Sequence, residues 1–377
     1  MRSDRQEDNI LSLLKEKSDE AERGAQRGMI LQSGAIGDCI LTLPLAEFMK
    51  DCVGLGGVDI LGHSDYIGIL PGRSCVDGIR SIDSVDLHRL FAETKTFDLA
   101  DGDPLINTFA DYAWIVTFLG EPDSDFEQNL IFTANCSRSA EVITLSMKPA
   151  GKLLTPSTWF DFAHHKSLRT SPSTSLRAGH ITDFYIEQFV TQSGLSLRPW
   201  RVRRSDCLIK ATKSDINSGR ELLEETGVDF SEKVVVIQPG SGGTHKRCHI
   251  DNFLAVAKEL VAGGIKAIFL LGPVESEQFS DEVKKSMAGT AKCLTDLSLT
   301  DVVGLLSCAD GFVGNDSGIT HLAAAMGVKT ICVFGPTDPA VYGPIGPAVT
   351  VFTSPVESFA KEPSEKLQQK ILKVLKR

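Results

Sequence analysis

Short apolar runs alternate with longer amphipathic stretches along most of this chain, and the alternation is cleanest in the second half. There Val234-Val235-Val236-Ile237, the runs 267–271 and 330–334, and shorter runs at Cys293 and Phe312 read as strands. The run 349–352 could close the sheet. Helices are expected between these strands, over 214–225, 250–261, 275–287, 300–308 and 317–326, with a charged helix over 357–375. Alternation this regular implies a parallel sheet covered by helices on both faces.

The first half opens on the apolar strand 28–32, the turn Ser33-Gly34-Ala35-Ile36-Gly37-Asp38 and a helix over 39–50, the start of a Rossmann-like unit. The turn is not the dinucleotide fingerprint, because its glycines are spaced G-x-x-G with no third in place. Further strands are expected at 58–61, 78–82, 113–118 and 141–145. Between 148 and 199 the periodicity fades, apart from one helix over 180–193. His164, His165, Lys166, Arg169 and Arg177 make this stretch basic, and Arg198 to Arg204 add more positive charge. It reads either as a solvated connection or as a contact surface for an anionic acceptor or acidic lipid headgroups. Residues 5–26 read as a weakly amphipathic helix or a loose arm. The expected organisation is a polar extension (1–27), a first α/β domain (28–200) and a second (201–377), with the junction at about 195–212.

A length of 377 residues agrees with about two domains. The net charge of −10 argues against a general nucleic-acid binder. Nine cysteines, odd in number, scattered and never in a C-x-x-C pair, argue against a zinc site or disulfide framework and fit a reducing compartment. The first 27 residues resemble neither a secretory signal nor a transit peptide, and no run approaches the roughly twenty apolar residues that span a bilayer. A cytoplasmic protein is expected.

Ligands of parallel α/β sheets bind beyond the carboxyl ends of the strands, where this chain has four polar stretches: 33–38, 238–248, 272–277 and 314–321. In the last, Asp316 and Ser317 are natural helix caps, and Gly318 lets another molecule approach the backbone. The first amides of that helix, with the positive end of its dipole behind them, make an anion site for a phosphate; a well-capped helix is the plainer alternative. The stretch Gln238-Pro239-Gly240-Ser241-Gly242-Gly243-Thr244-His245-Lys246-Arg247 leaves a strand and ends in two cations able to neutralise phosphate, or simply lying at the surface. Together the two stretches describe a diphosphate cradle that uses no metal. Asp101-Gly102-Asp103 and Asp123-Ser124-Asp125 are D-x-D patterns, short enough to arise by chance, and read as loops.

These motifs resemble those of the ADP-heptose:lipopolysaccharide heptosyltransferases, glycosyltransferase family 9. The resemblance rests on Gly37-Asp38 with Leu43-Pro44, Pro239-Gly240-Ser241 leading to Lys246-Arg247, and Gly272-Pro273-Val274-Glu275. It continues through Gly314-Asn315-Asp316-Ser317-Gly318-Ile319-Thr320-His321-Leu322-Ala323-Ala324 and Phe334-Gly335-Pro336-Thr337-Asp338-Pro339. It implies the GT-B architecture, two Rossmann-like domains facing each other across a cleft. It also implies inverting transfer of a heptose from ADP-heptose to a lipopolysaccharide core or related glycan, with no cofactor or metal. By the same resemblance Asp38 is the general base, or else only a helix cap. Ser241 lies on the donor side, Lys246 meets the donor phosphates, Glu275 the ribose hydroxyls, and the amides of Ser317 and Gly318 the diphosphate. Asp316 and His321 flank the donor, though a lone histidine on an apolar helix is more often a core residue. The expected partners are a nucleotide-sugar donor, an anionic glycolipid or oligosaccharide acceptor, and the inner face of the cytoplasmic membrane. Cys248-His249 stand where the family has Trp-Pro, which leaves the donor sugar open. The rival readings are a GT-B transferase or epimerase for another nucleotide sugar, and a non-catalytic nucleotide-sugar-binding protein. A nicotinamide oxidoreductase is disfavoured by the missing fingerprint.

Overall fold

The computed structural model describes residues 26–149, 179–196, 200, 202, 205–229, 231–354 and 359–376. The expected N-terminal arm and the basic residues His164, His165, Lys166, Arg169 and Arg177 lie outside these.

The strands form two sheets. The first contains β1 (Arg27–Gln32), β2 (Gly57–Gly62), β3 (Gly78–Ser81), β4 (Tyr112–Thr117) and β5 (Glu141–Thr144) in the order β3-β2-β1-β4-β5. The second contains β6 (Val234–Gln238), β7 (Lys266–Leu271), β8 (Lys292–Thr295), β9 (Gly311–Asn315), β10 (Thr330–Phe334) and β11 (Val349–Thr353) in the order β11-β10-β9-β6-β7-β8. Every pairing is parallel. Both orders reverse direction at a central strand, so each sheet has a switch point where loops diverge and leave a crevice.

Helices cover both faces: α1 (Ile36–Phe48), α2 (Pro104–Phe109), α3 (Asp125–Asn135) and α4 (Ile181–Ser193) on the first sheet. On the second are α5 (Lys213–Glu225), α6 (Ile250–Ala262), α7 (Pro273–Gln278), α8 (Asp281–Ala288), α9 (Leu299–Ser307), α10 (Gly318–Ala325), α11 (Pro339–Tyr342) and α12 (Glu365–Leu375). Strand residues alternate between cores, which is why the apolar runs are continuous rather than alternating. Met29 and Leu31 face a core under α2 and α3, whereas Ile30 faces the other side. Likewise Val235 and Ile237 join α6 and α12, whereas Val234 and Val236 face inward. The two inward faces merge into one core that runs through α1, α4, α9 and α10 from domain to domain.

Three helices depart from expectation. The first begins at Ile36, because Ala35 rather than Asp38 is its N-cap. The helix expected over 275–287 is two: Phe279 is extended (φ −85°, ψ 136°) and Ser280 caps a fresh start by accepting from the Val283 amide. The last helix starts at Glu365, after Pro363, with Ser364 as its cap. Residues 355–358 of the expected span lie outside those described.

The domains are tied at several points. Arg73 grips Asp215 in a two-pronged ion pair, Nε to Oδ2 at 2.7 Å and Nη2 to Oδ1 at 2.6 Å. The Lys210 amide donates to the Arg73 carbonyl at 2.7 Å. Among the described residues no helix is long and apolar enough to cross a membrane.

Candidate active site

The polar turns after β1, β6, β7 and β9 converge where α1 and α10 meet end to end. At that seam the backbones nearly touch. A Cβ added to Gly318 would lie 2.9 Å from Ile36 Cβ, and one added to Gly37 would lie 3.2 Å from His321 Cδ2. At Gly318 no side chain fits without moving one domain against the other, whereas at Gly37 the His321 ring need only give by a few tenths of an ångström.

From the first domain comes Asp38, at the third position of α1. Its Oδ2 accepts from the Ala35 amide at 3.1 Å, so the carboxylate satisfies the amide of the N-cap residue while its other oxygen has no partner among the described residues. Burial pushes the Asp38 carboxyl above the ordinary carboxylate range, against the Ala35 hydrogen bond and the pull of His321 and Lys246, while Asp316 pushes it further up. Three of these influences come from the opposite domain, which places Asp38 at the mouth of the donor-side cluster.

The centre of that cluster is Asp316, buried at the end of β9. Its Oδ2 accepts from Lys246 Nζ at 2.9 Å and Thr337 Oγ1 at 2.7 Å, while His321 Nε2 stands 3.7 Å from Oδ1. Burial would raise its carboxyl, but His321, Lys246 and Thr337 together hold it well below the usual range. Ser241 Oγ donates to the Asp316 carbonyl at 2.6 Å. Asn315 locks the same turn, donating to the Pro239 carbonyl and accepting from the Cys248 amide.

Ser317 is the cap of α10 and accepts from the Thr320 amide, as its sequence position suggested. Its hydroxyl also donates to Gln238 Oε1 at 2.7 Å, and Gln238 Nε2 donates to Glu275 Oε1 at 2.6 Å. Glu275 Oε2 accepts from the Gly272 amide at 2.8 Å, so both oxygens of this buried carboxylate are engaged within the protein. Gly240 is required here, because a Cβ on it would overlap Glu275 Oε1. At the start of α10 the amides of Gly318 and Ile319 have no helical carbonyl to bond, leaving donors backed by the helix dipole. Close by, His321 is 5 % exposed and its Nδ1 has no partner among the described residues. It is buried, but it is not a satisfied core residue.

Several other residues fall elsewhere. Arg247 lies over the Phe279 ring, 5.7 Å from its centroid, while Lys246 alone engages Asp316. Cys248 is buried against Asn252, its thiol pushed up to about 11 by desolvation, and His249 caps α6. In the D-x-D patterns, Asp103 caps α2 and pairs with Arg89, and Asp125 accepts from Thr94. Among the described residues no group of three or more His, Cys, Asp or Glu could hold a metal ion. The contributions of Gln238 and Thr337 were not foreseen. A glutamine closing an otherwise apolar strand was the signal for the first, and Thr337 stood unassigned within a recognised motif.

Residues 203–372 match the family model for glycosyltransferase family 9 (heptosyltransferase). That stretch is a family 9 domain. Within it lie all the candidate residues except Asp38. A relative in sequence, lipooligosaccharide heptosyltransferase 2 of Haemophilus influenzae, is 25 % identical over 126 residues. The aligned stretch covers 32 % of this chain and 36 % of the relative, so the match spans about a third of that protein. In structure the likeness is longer. A family 9 glycosyl transferase from Veillonella parvula superposes with a TM-score of 0.64 at 17 % identity, covering 93 % of this chain and 96 % of that one. The E. coli ADP-heptose lps heptosyltransferase II superposes at 0.62 and 14 % identity, covering 93 % and 98 %. These likenesses show the fold: two parallel-sheet domains in the GT-B arrangement, with the family 9 domain as the second.

Proposed function

We propose that this chain is an inverting glycosyltransferase that moves a heptose from ADP-heptose to a hydroxyl of a lipopolysaccharide core or related glycan, without a metal. The observation that carries the reading is the seam. It sets a half-buried carboxylate of raised pKa opposite a lysine, a buried aspartate and a helix start, with glycine at both points of closest approach. A family 9 domain and a structural relative that acts with ADP-heptose supply the donor class.

In the reaction the acceptor oxygen attacks the anomeric carbon from the face opposite the diphosphate. The new C–O bond forms as the bond to the distal phosphate oxygen breaks, and ADP leaves with that electron pair. Asp38 takes the acceptor proton, and the pKa that burial raises makes it a stronger base than an ordinary carboxylate. Lys246 and the Gly318 and Ile319 amides stabilise the charge that grows on the diphosphate. Ser241, Ser317 and Gln238 hold those groups in place, and Glu275 does so from beneath as well as standing near the ribose. An acceptor carried on a glycolipid would bring this cytoplasmic enzyme to the inner face of the membrane, with the basic 148–204 stretch as the contact.

The test is transfer from ADP-heptose to heptose-deficient lipopolysaccharide by wild type and Asp38→Ala, with ADP affinity measured in parallel. Loss of about 10²–10⁴-fold in turnover with ADP binding retained is expected. Transfer by Asp38→Ala at the wild-type rate overturns the assignment of the base. Cys248 at the usual tryptophan position makes another donor the second reading; stabilisation by UDP rather than ADP in a thermal shift would select it. Activity that vanishes in excess chelator would overturn the metal-free mechanism.

A further inference from the structure

Two tyrosines that belong to no motif stand at the seam, one from each domain. Tyr185 lies on α4, which packs on α1, and its ring meets Phe118 edge-on with centroids 4.7 Å apart. Tyr342 ends α11, shortly after the Thr337 that holds Asp316. His180 joins the two segments. It is the buried cap of α4, with Nδ1 2.9 Å from Thr182 Oγ1 and Nε2 2.8 Å from the carbonyl oxygen of Gly343, the residue after Tyr342. A carbonyl only accepts, so Nε2 carries the proton and α4 is fastened to the turn that carries Tyr342.

Neither tyrosine hydroxyl has a hydrogen-bond partner among the described residues. Tyr185 is only 2 % exposed, and a buried phenol ordinarily finds a partner. Its unpaired oxygen nevertheless keeps a little contact with solvent rather than being sealed. Burial and then the Asp38 carboxylate raise the Tyr185 phenol, with Tyr342 adding to the effect. Burial also raises Tyr342, with Lys246 lowering it and Asp38 raising it. Both phenols therefore stay protonated at working pH, each offering one donor and its lone pairs beside the base.

We propose that Tyr185 and Tyr342 bind the acceptor sugar, each pairing with a hydroxyl on either side of the one that Asp38 deprotonates. The inference rests on the transferase reading and adds to it an acceptor subsite built from both domains. A polyhydroxylated sugar suits two unpaired phenols, each able to donate and accept. Because the subsite is split across the seam, the acceptor is held only while the domains are in register.

The test uses full-length Tyr185→Phe and Tyr342→Phe, which keep the ring and its packing. The probe is deacylated oligosaccharide from heptose-deficient lipopolysaccharide, titrated by calorimetry into the ADP-loaded protein, with initial rates measured on the same samples. Each variant is expected to bind the oligosaccharide up to about tenfold more weakly, as befits one neutral hydrogen bond. Acceptor KM should rise in parallel, with ADP affinity and melting temperature unchanged. Equal oligosaccharide affinity in wild type and both variants overturns the inference. So does weakened ADP binding in Tyr342→Phe, which would move that residue to the donor side, or failure of the wild type to bind the oligosaccharide. A wild type that binds the oligosaccharide but transfers no heptose sinks the transferase reading instead, and the binding comparison still decides the subsite.

Discussion

Replacing Gly318 by alanine tests whether contact between the domains sets the reacting geometry. The added Cβ would lie 2.9 Å from Ile36 Cβ and 3.2 Å from the Gly37 nitrogen, where non-bonded carbon atoms settle at roughly 3.5–4.0 Å. One of these neighbours is fixed to the backbone and the other belongs to it, so neither can swing aside. The helices α1 and α10 must therefore part by several tenths of an ångström. Alanine is itself a better helix former than glycine, by about 0.5–1 kcal/mol in a helix interior, so a loss cannot be blamed on the helix. Overpacking of this kind costs typically 1–3 kcal/mol. The functional penalty should be larger than the stability penalty, since misplacement by about 1 Å can cost on the order of a hundredfold in rate. Initial rates with ADP-heptose should fall tens of fold or more, with a smaller change in ADP affinity. Gly37→Ala should be milder, because its Cβ meets the His321 ring at 3.2 Å and a ring can turn. Wild-type turnover by Gly318→Ala with an unchanged melting temperature would refute the reasoning, and with it the claim that base and donor site are registered through this contact.

Three further outcomes are expected. The acid limb of kcat/KM should have its midpoint above the ordinary carboxylate value near 3.9, because Asp38 must be ionised to act and burial raises its pKa; Asp38→Asn should abolish the limb along with the activity. Arg73→Ala strands the 2 %-exposed Asp215 without its partner and should cost about 3–5 kcal/mol in urea unfolding, whereas Arg73→Met with Asp215→Leu should recover much of the loss. Asp215 is held down to about 2, mainly by its hydrogen bonds from Arg73, below its unfolded value near 3.9. Its contribution to stability is thus full above pH 4 and lost as pH falls towards 2, so an acid titration of wild type should show a loss that the double variant lacks.

Much of the architecture was legible in the sequence because parallel strands buried on both faces are written as unbroken apolar runs. Val234-Val235-Val236-Ile237 is one such strand, with every residue buried. The helix breaks were harder. Phe279-Ser280 continues an amphipathic pattern, and only the cap hydrogen bond from Val283 to Ser280 reveals that one helix stops there and another starts. At the site, the residues close to a strand end and a helix start could be picked out by type: Asp38, Lys246, Asp316 and Ser317. What stayed hidden was their wiring. Glu275 looks like a free ligand group in the sequence, yet Gln238 and Gly272 occupy both its oxygens. Tyr185 and Tyr342 carry no local signature, because the His180–Gly343 bond that joins their segments depends on how two domains dock rather than on any spacing along the chain.

That docking also bears on why the proposed diphosphate site contains a buried carboxylate. Asp316 is ionised at any working pH, and alone it would repel the donor. It is retained because it fastens Lys246, Thr337 and His321, so the lysine waits in a fixed position rather than sampling solvent. The two effects oppose each other in donor binding, and magnitudes decide between them. Repulsion between unit charges about 4 Å apart is on the order of 4 kcal/mol at the effective dielectric of a protein surface, whereas freeing a lysine side chain costs roughly 2 kcal/mol of order. Asp316→Asn should therefore bind ADP more tightly than wild type at low salt, with the advantage shrinking as ionic strength rises. Turnover should nevertheless fall, because a loosened Lys246 no longer meets the charge that develops as ADP leaves. Calorimetry across a salt series, paired with initial rates, measures both. Weaker ADP binding at every salt concentration would show that holding the lysine outweighs the repulsion, and that the carboxylate serves binding as well as catalysis.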